Sequence, residues 1–284
     1  MKRKSTKIAG KVFRYVIWSV LSITTLFPIY WCFLTGIRGR ADIFSYPPKL
    51  YQLTFYWENF TKTLMKGPYG SYLLNSVIIA TGNTILVTVL AILAAYALSR
   101  YKIKGSQNIF FWTITNRMAP PAAFMLPMFI LFSNVLRIGD SNLYDTHIGV
   151  IMVYCLFNLP FAIWLLKGII DGISPDIDEA ARVDGATTMG IIWKIIVPLA
   201  LPSIATTAIL SWIFAWNEFL FASTITSVNA RTFTAGLNEF VSTSQTYWGE
   251  LAAMSIIGMI PAFIFLGLIQ KYIVAGLTFG AVRE

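Results

Sequence analysis

Apolar residues run along this chain in long blocks, not at the alternating spacing of strands. Six stretches stand out: residues 12–35, 77–98, 108–133, 148–166, 199–216 and 251–270. A hydrocarbon layer of about 30 Å needs roughly 20 residues of helix at about 1.5 Å per residue. Most of the six have that length. In lipid every backbone polar group must be satisfied internally, so blocks of this kind predict spanning helices. The third is interrupted by Asn116, Arg117, Pro120 and Pro121, which predicts a broken helix there. The expected fold class is an all-α integral membrane protein with six transmembrane helices. The whole chain, 1–284, then forms one transmembrane domain.

Composition agrees with that pattern. Hydrophobic residues make up 56% of the chain and charged residues 12%, against roughly 25% charged in soluble domains. Mean hydropathy is +0.66. The first stretch carries a basic flank, as a signal peptide would. Its apolar core exceeds the usual ~7–15 residues and no small-residue cleavage site follows at 35–38, so a retained helix is expected.

The net charge of +9 would suggest nucleic acid in a soluble protein. Here orientation is the better account, because loops on the cytoplasmic side collect Lys and Arg. With six crossings and cytoplasmic termini, the inner segments hold six, three, three and two Lys/Arg, fourteen against seven outside. The outer loop 36–72 argues the other way with five, but six lie at the extreme N-terminus. No catalytic or metal-binding constellation is evident. Cys32 and Cys155 lie in apolar runs and the single histidine, His147, falls in an outer loop.

Polar residues inside or beside the spans are candidates for a solute pathway. Arg117 would cost about 2.5–3.5 kcal/mol or more if it met lipid. It must face protein, water or an interface, as a pathway residue or as a structural pair. Asn116 precedes it. Asn158 lies in the fourth stretch, and Asn217 and Glu218 end the fifth, where Trp216 and Phe219 offer apolar faces for a sugar ring. The alternative for these two polar groups is a hydrated helix end. Asn75 and Asn83 are weaker candidates for the same cavity, and Gly82, Ala94, Ala95 and Ala97 suit close helix packing.

The inner segment 174–198 differs from the other loops. Ser174-Pro175-Asp176 opens a helix, with a cap, a proline at the first position and an acid at the positive dipole end. Asp178 and Glu179 have the spacing to pair with Arg182. Ile177, Ala180, Ala181 and Asp184 share one small face, and Gly185 permits a turn. A second helical piece carries Ile192, Trp193 and Ile196, and Pro198 is expected to end it. The residues leave two readings: a helix flat on the lipid surface, or a protein docking site.

The pattern Glu179-Ala180-Ala181, Gly185, Ile195 and Val197-Pro198 resembles the EAA loop of ABC importer permeases, E-A-A-x3-G-x9-I-x-L-P, with Val197 in place of Leu. Asn158-Leu159-Pro160-Phe161, Trp216 to Leu220, Trp248 to Ala253 and Gly276-Leu277-Thr278 look like its carbohydrate branch, in particular the smaller six-helix permease of maltose-type importers. The resemblance implies a type I ABC importer permease fold and a role in sugar or oligosaccharide uptake. It makes Glu179, Ala180, Ala181, Asp184, Gly185, Ile195 and Pro198 the ATPase-coupling residues. It implies as partners a second permease, two ATPase subunits and an extracytoplasmic sugar-binding protein, in the inner membrane of a bacterium or archaeon. The chain lacks a GxxxxGK[ST] loop, so ATP and Mg are expected on the ATPase partners and no cofactor here. It also implies that the tail beyond Lys271 reaches the ATPases and that the outer loop 225–249 enters the binding protein. Import of another small solute is the alternative; a secondary transporter or channel would leave the 174–198 loop unexplained.

Overall fold

The computed structural model describes residues 2–279, with side chains for 10–65 and 67–267. Among these, five helices are long and apolar enough to cross a membrane. They comprise 10–36, 69–100, 147–170, 188–217 and 248–267. Ser106–Asn116 and Pro121–Val135 meet at a bend of 93° and are together apolar enough to count as a sixth when taken as one broken span. The bend follows from the sequence. Pro120 adopts an extended backbone conformation and Pro121 opens the second half, because proline lacks the N–H an unbroken helix needs.

Contacts gather the chain into two compact units. One takes the chain up to Gly70 with Leu237–Ile260, and the other takes Ser71–Gly236 with the chain from Pro261. In the first unit the opening span presents Phe13, Trp18 and Ile23 outward, each about two-thirds exposed (66%, 66% and 67%). Lipid is the natural solvent for such a surface. The end of that span is buried. Asn59, 5% exposed, donates to the carbonyls of Gly36 and Arg38, both at 2.9 Å.

The second unit has two cores. One joins Ile79, Val150, Tyr154, Trp212, Phe221 and Ile225. The other joins Val87, Ala95, Leu166, Ile191, Ile196 and Ala200. Small residues let the second and fourth spans approach: a Cβ on Gly82 would stand 2.7 Å from Ile151 Cδ1. A buried polar chain ties the same pair. Asn158 donates to Asn83 Oδ1 at 2.8 Å, and Asn83 donates to the Ile151 carbonyl at 2.9 Å. Asn83 is therefore a helix-to-helix tie and not a cavity residue.

The fifth span corrects one expectation. Pro198 does not end a helix; it stands in the first turn of Val197–Asn217, where its missing N–H is tolerated. The π-helical turn Ile192–Ile196 precedes it and carries the helical path on from Thr188–Ile191. The 174–198 segment thus continues into the span. The C-terminal tail from Gly280 lies outside the described residues, as do the side chains beyond Gly267.

Candidate functional site

The 174–198 segment folds as its sequence suggests. Ser174 accepts the Asp176 N–H at 3.3 Å, and Pro175–Val183 is helical. The helix stops where Gly185 takes φ +81°, with the Gly185 N–H on the Arg182 carbonyl at 3.0 Å. Thr187 then caps the next turn by accepting the Gly190 N–H at 3.2 Å.

Its two faces differ. Ala181, Ile191, Ile192 and Ile196 are buried within the second core. Glu179, Ala180, Asp184 and Gly185 are exposed, Ile195 is half-buried and Pro198 exposed. Around the exposed residues stand Val183 at 87%, Met189 at 55% and Trp193 at 43% exposure. Of the expected partner face, Ala181 is turned inward, and an apolar surface is left that needs a cover.

Asp178 does not pair with Arg182. Its Oδ2 accepts from Arg100 Nε at 2.7 Å, with side chains 5% and 2% exposed. Arg100 also donates to the carbonyls of Ile173 at 2.9 Å and Ile170 at 3.3 Å. One guanidinium therefore knots the end of the second span, the end of the fourth and the start of helix 175–183. Nothing in the sequence marks this pair, since 78 residues separate its members.

A cavity of about 250 Å³ lies in the same unit, lined by Arg117, Tyr154, Phe157, Asn158, Phe214 and Glu218 among others. It brings together Arg117, Asn158 and Glu218 of the predicted pathway residues, and leaves out Asn116 and Asn217. Asn217 bonds back to its own helix, to the Ile213 carbonyl at 2.8 Å. Glu218 ends the fifth span and caps the next short helix, its carboxylate accepting from the N–H groups of Phe221 (3.0 Å) and Ala222 (3.1 Å). Trp216 is no sugar platform: it is 6% exposed and stacks on Trp212 at 5.0 Å. Both tryptophans complete the core, because a full helical turn places them on the same inward face.

At the 225–249 loop the structure reveals an anchor that the sequence does not. Asp145, in the left-handed region at φ +54°, accepts the backbone N–H groups of Ser227, Val228, Asn229 and Ala230 at 2.9–3.1 Å. Burial works against its negative charge, but these four donors outweigh it and hold the carboxyl below the usual carboxylate range. Asn75 adds bonds to the carbonyls of Asn229 (2.9 Å) and Arg231 (3.0 Å), and its Oδ1 meets His147 Nε2 at 2.8 Å. Asn75 is thus a loop tie and not a cavity residue. Residues 230–236 are consequently packed down, with Ala230, Thr232 and Phe233 buried, while 227–229 stay exposed. Further on, Val241 and Thr246 bridge a short turn whose residues 241–244 are exposed. Among the described residues no group of His, Cys, Asp and Glu has the makings of a metal site.

Known proteins share this architecture. Residues 87–278 match the family described as the binding-protein-dependent transport system inner membrane component. The trehalose transport system permease protein SugB of Mycobacterium tuberculosis is 34% identical over 277 residues, 95% of this chain and 98% of the relative. The trehalose/maltose transport system permease protein MalG of Thermococcus litoralis is 33% identical over 268 residues, 93% and 94% of the two chains. Among solved structures, a chain of a bacterial ABC transporter involved in import of the acidic polysaccharide alginate superposes with a TM-score of 0.75. It has 22% identity and covers 95% of this chain and 98% of that one. The chain belongs to the binding-protein-dependent transport system inner membrane components, as a multi-pass permease subunit of an ABC transporter.

Proposed function

We propose that this chain, acting as one permease domain, pairs with a second permease above two ATPase subunits, with both termini and the 174–198 segment in the cytoplasm of a bacterial or archaeal cell. ATP and Mg act on the ATPases, and an extracytoplasmic sugar-binding protein docks opposite. Closure of the ATPases presses on the docking helix, and rigid-body rocking of the spans turns the cavity outward; hydrolysis resets it. The cargo is of the di- or oligosaccharide class named for the trehalose and maltose relatives. One observation supports the docking role above all. The helix 175–183 is held to its own bundle by Arg100–Asp178, yet shows Ile177, Ala180 and Val183 to solvent.

Glu179→Lys tests this reading, because Glu179 is exposed and its replacement leaves the core intact. Membrane insertion and pairing with the second permease are expected to survive. Co-purification of the ATPase and sugar uptake are expected to fall at least about tenfold, the effect of losing about 1.4 kcal/mol at an interface. Normal uptake and normal co-purification together would refute the docking assignment.

We place the tip 242–245 of the outer loop in the binding protein's cleft during release. The tip suits this role because the loop base is anchored while the turn projects as an ordered hairpin, with Ser242 Oγ on the Gln245 carbonyl at 2.7 Å. Replacing residues 242–245 by glycines leaves the buried Ala230 and Phe233 untouched. Uptake is expected to drop several-fold with assembly unchanged. Unaltered uptake and unaltered stimulation of ATPase by the binding protein would reduce the tip to a solvated cap.

A further inference from the structure

Among the described residues Arg117 has no acidic partner. It lies at the break in the third span, its Cζ 4.2 Å from the centroid of Phe161 and 4.6 Å from that of Phe214. It makes no ion pair, and its Nη1 is buried with no hydrogen-bond partner among the described residues. Cation–π attraction contributes about 0.5–2 kcal/mol, while removing a guanidinium from water costs several kcal/mol. The two rings hold the group in place and leave its charge unanswered.

The cavity that Arg117 borders offers the rest of a recognition site. Its 250 Å³ falls just under the ~300 Å³ at which small-ligand sites begin, room for one sugar unit. Half-buried Phe157 offers an apolar wall for a pyranose face, with buried Phe221 stacked behind it at 5.3 Å. Asn158 and Tyr154 also line it, but the Asn158 amide already donates to Asn83 and Ser211 and the Tyr154 hydroxyl to the Glu218 carbonyl. Glu218 lies there too, its carboxylate accepting from the N–H groups of Phe221 and Ala222, and it forms no ion pair with Arg117 among the described residues.

We propose that this cavity is a subsite for the transported saccharide within this subunit, and that Arg117 selects a cargo bearing a carboxylate, such as a uronic acid unit. A planar guanidinium binds a carboxylate through two parallel N–H···O bonds, and this one is half-buried. The proposal rests on the sugar-importer reading and narrows it. A carboxylate of the partner permease is the competing source of negative charge. The cavity favours the solute, because Arg117 is one of the residues that line it.

The test uses the assembled importer in lipid nanodiscs, without the binding protein, and equilibrium dialysis of radiolabelled D-glucuronate and D-glucose. The wild type is expected to bind glucuronate about tenfold or more tightly than glucose, as a charged hydrogen-bonded pair requires. Arg117→Gln is expected to bring glucuronate to the level of glucose, with Arg117→Lys between. A wild type that does not distinguish the two sugars overturns the proposal, and so does an Arg117→Gln importer with undiminished glucuronate binding. Loss of the partner permease from the Arg117→Gln complex, with no preference in the wild type, assigns the countercharge to the partner and equally overturns it. ATPase stimulation by the binding protein is measured on the same wild-type sample. If stimulation is present and the preference absent, the subsite alone fails; if stimulation is absent, the importer reading fails.

Discussion

Asp178→Ala is expected to abolish transport and lower the yield of folded complex. The Arg100 guanidinium would be left in a site where both side chains are at most 5% exposed. Breaking a buried pair from one side costs about 3–5 kcal/mol, chiefly the uncompensated charge that remains. The loss falls where the second span, the fourth span and the docking helix are tied. Any ATPase that still bound would therefore push on a loosened lever. Sugar uptake, ATPase stimulation and thermal stability by size-exclusion chromatography are the measurements. Replacing both partners with apolar side chains, Arg100→Met with Asp178→Leu, is expected to recover much of the folded yield, because no stranded charge remains. Single and double variants of equal stability would show that the pair holds nothing. Wild-type uptake by Asp178→Ala would show the same.

Asp145→Ala should produce the second-largest loss. Four backbone N–H groups converge on this carboxylate, and charge-assisted bonds of this kind contribute about 1.5–3 kcal/mol each when well buried. Asp145 is partly exposed, so about 3 kcal/mol for the whole cluster is a reasonable scale. Without it, residues 227–230 lose their anchor and the buried Thr232 and Phe233 lose their register. Limited proteolysis of the outer loop is expected to speed up at least tenfold, with uptake falling alongside. Unchanged proteolysis would remove Asp145 from this role.

The pH dependence of that anchor has a definite sign. The folded-state value of Asp145 lies below its ordinary one, so its stabilisation is complete above about pH 4, the unfolded value. It is lost only as pH falls through the folded value. Between neutrality and about pH 5 this residue confers no pH dependence on loop protection.

The apolar blocks were legible because lipid imposes one rule on every residue of a span. About 20 consecutive apolar residues announce a crossing, whatever they later pack against. The break at Pro120-Pro121 was legible for a similar local reason, the missing N–H groups. So were the Ser174 and Gly185 ends of the docking helix, since caps and left-handed turns depend on residues within a few positions. Proline at 198 misled, because a proline in a first turn and a proline that stops a helix look alike in sequence. The π-helical turn just before it decides between them.

The sequence by itself determined a helical membrane-spanning protein, a break in the third apolar stretch and a helix–turn–helix at 174–198. Only the tertiary structure decided which polar residues work together. Asp178 has a partner at the proper helical spacing, Arg182, and ignores it for Arg100, 78 residues away. The reason is burial: a pair shielded from water interacts far more strongly than an exposed i,i+4 pair, worth about 0.3–0.5 kcal/mol. Trp216 resembled a sugar platform and became core, while Arg117, Asn158 and Glu218 were drawn from three separate elements to one cavity. Span positions follow from local composition. Facing directions follow from the packing of one helix on another, which no window along the chain contains.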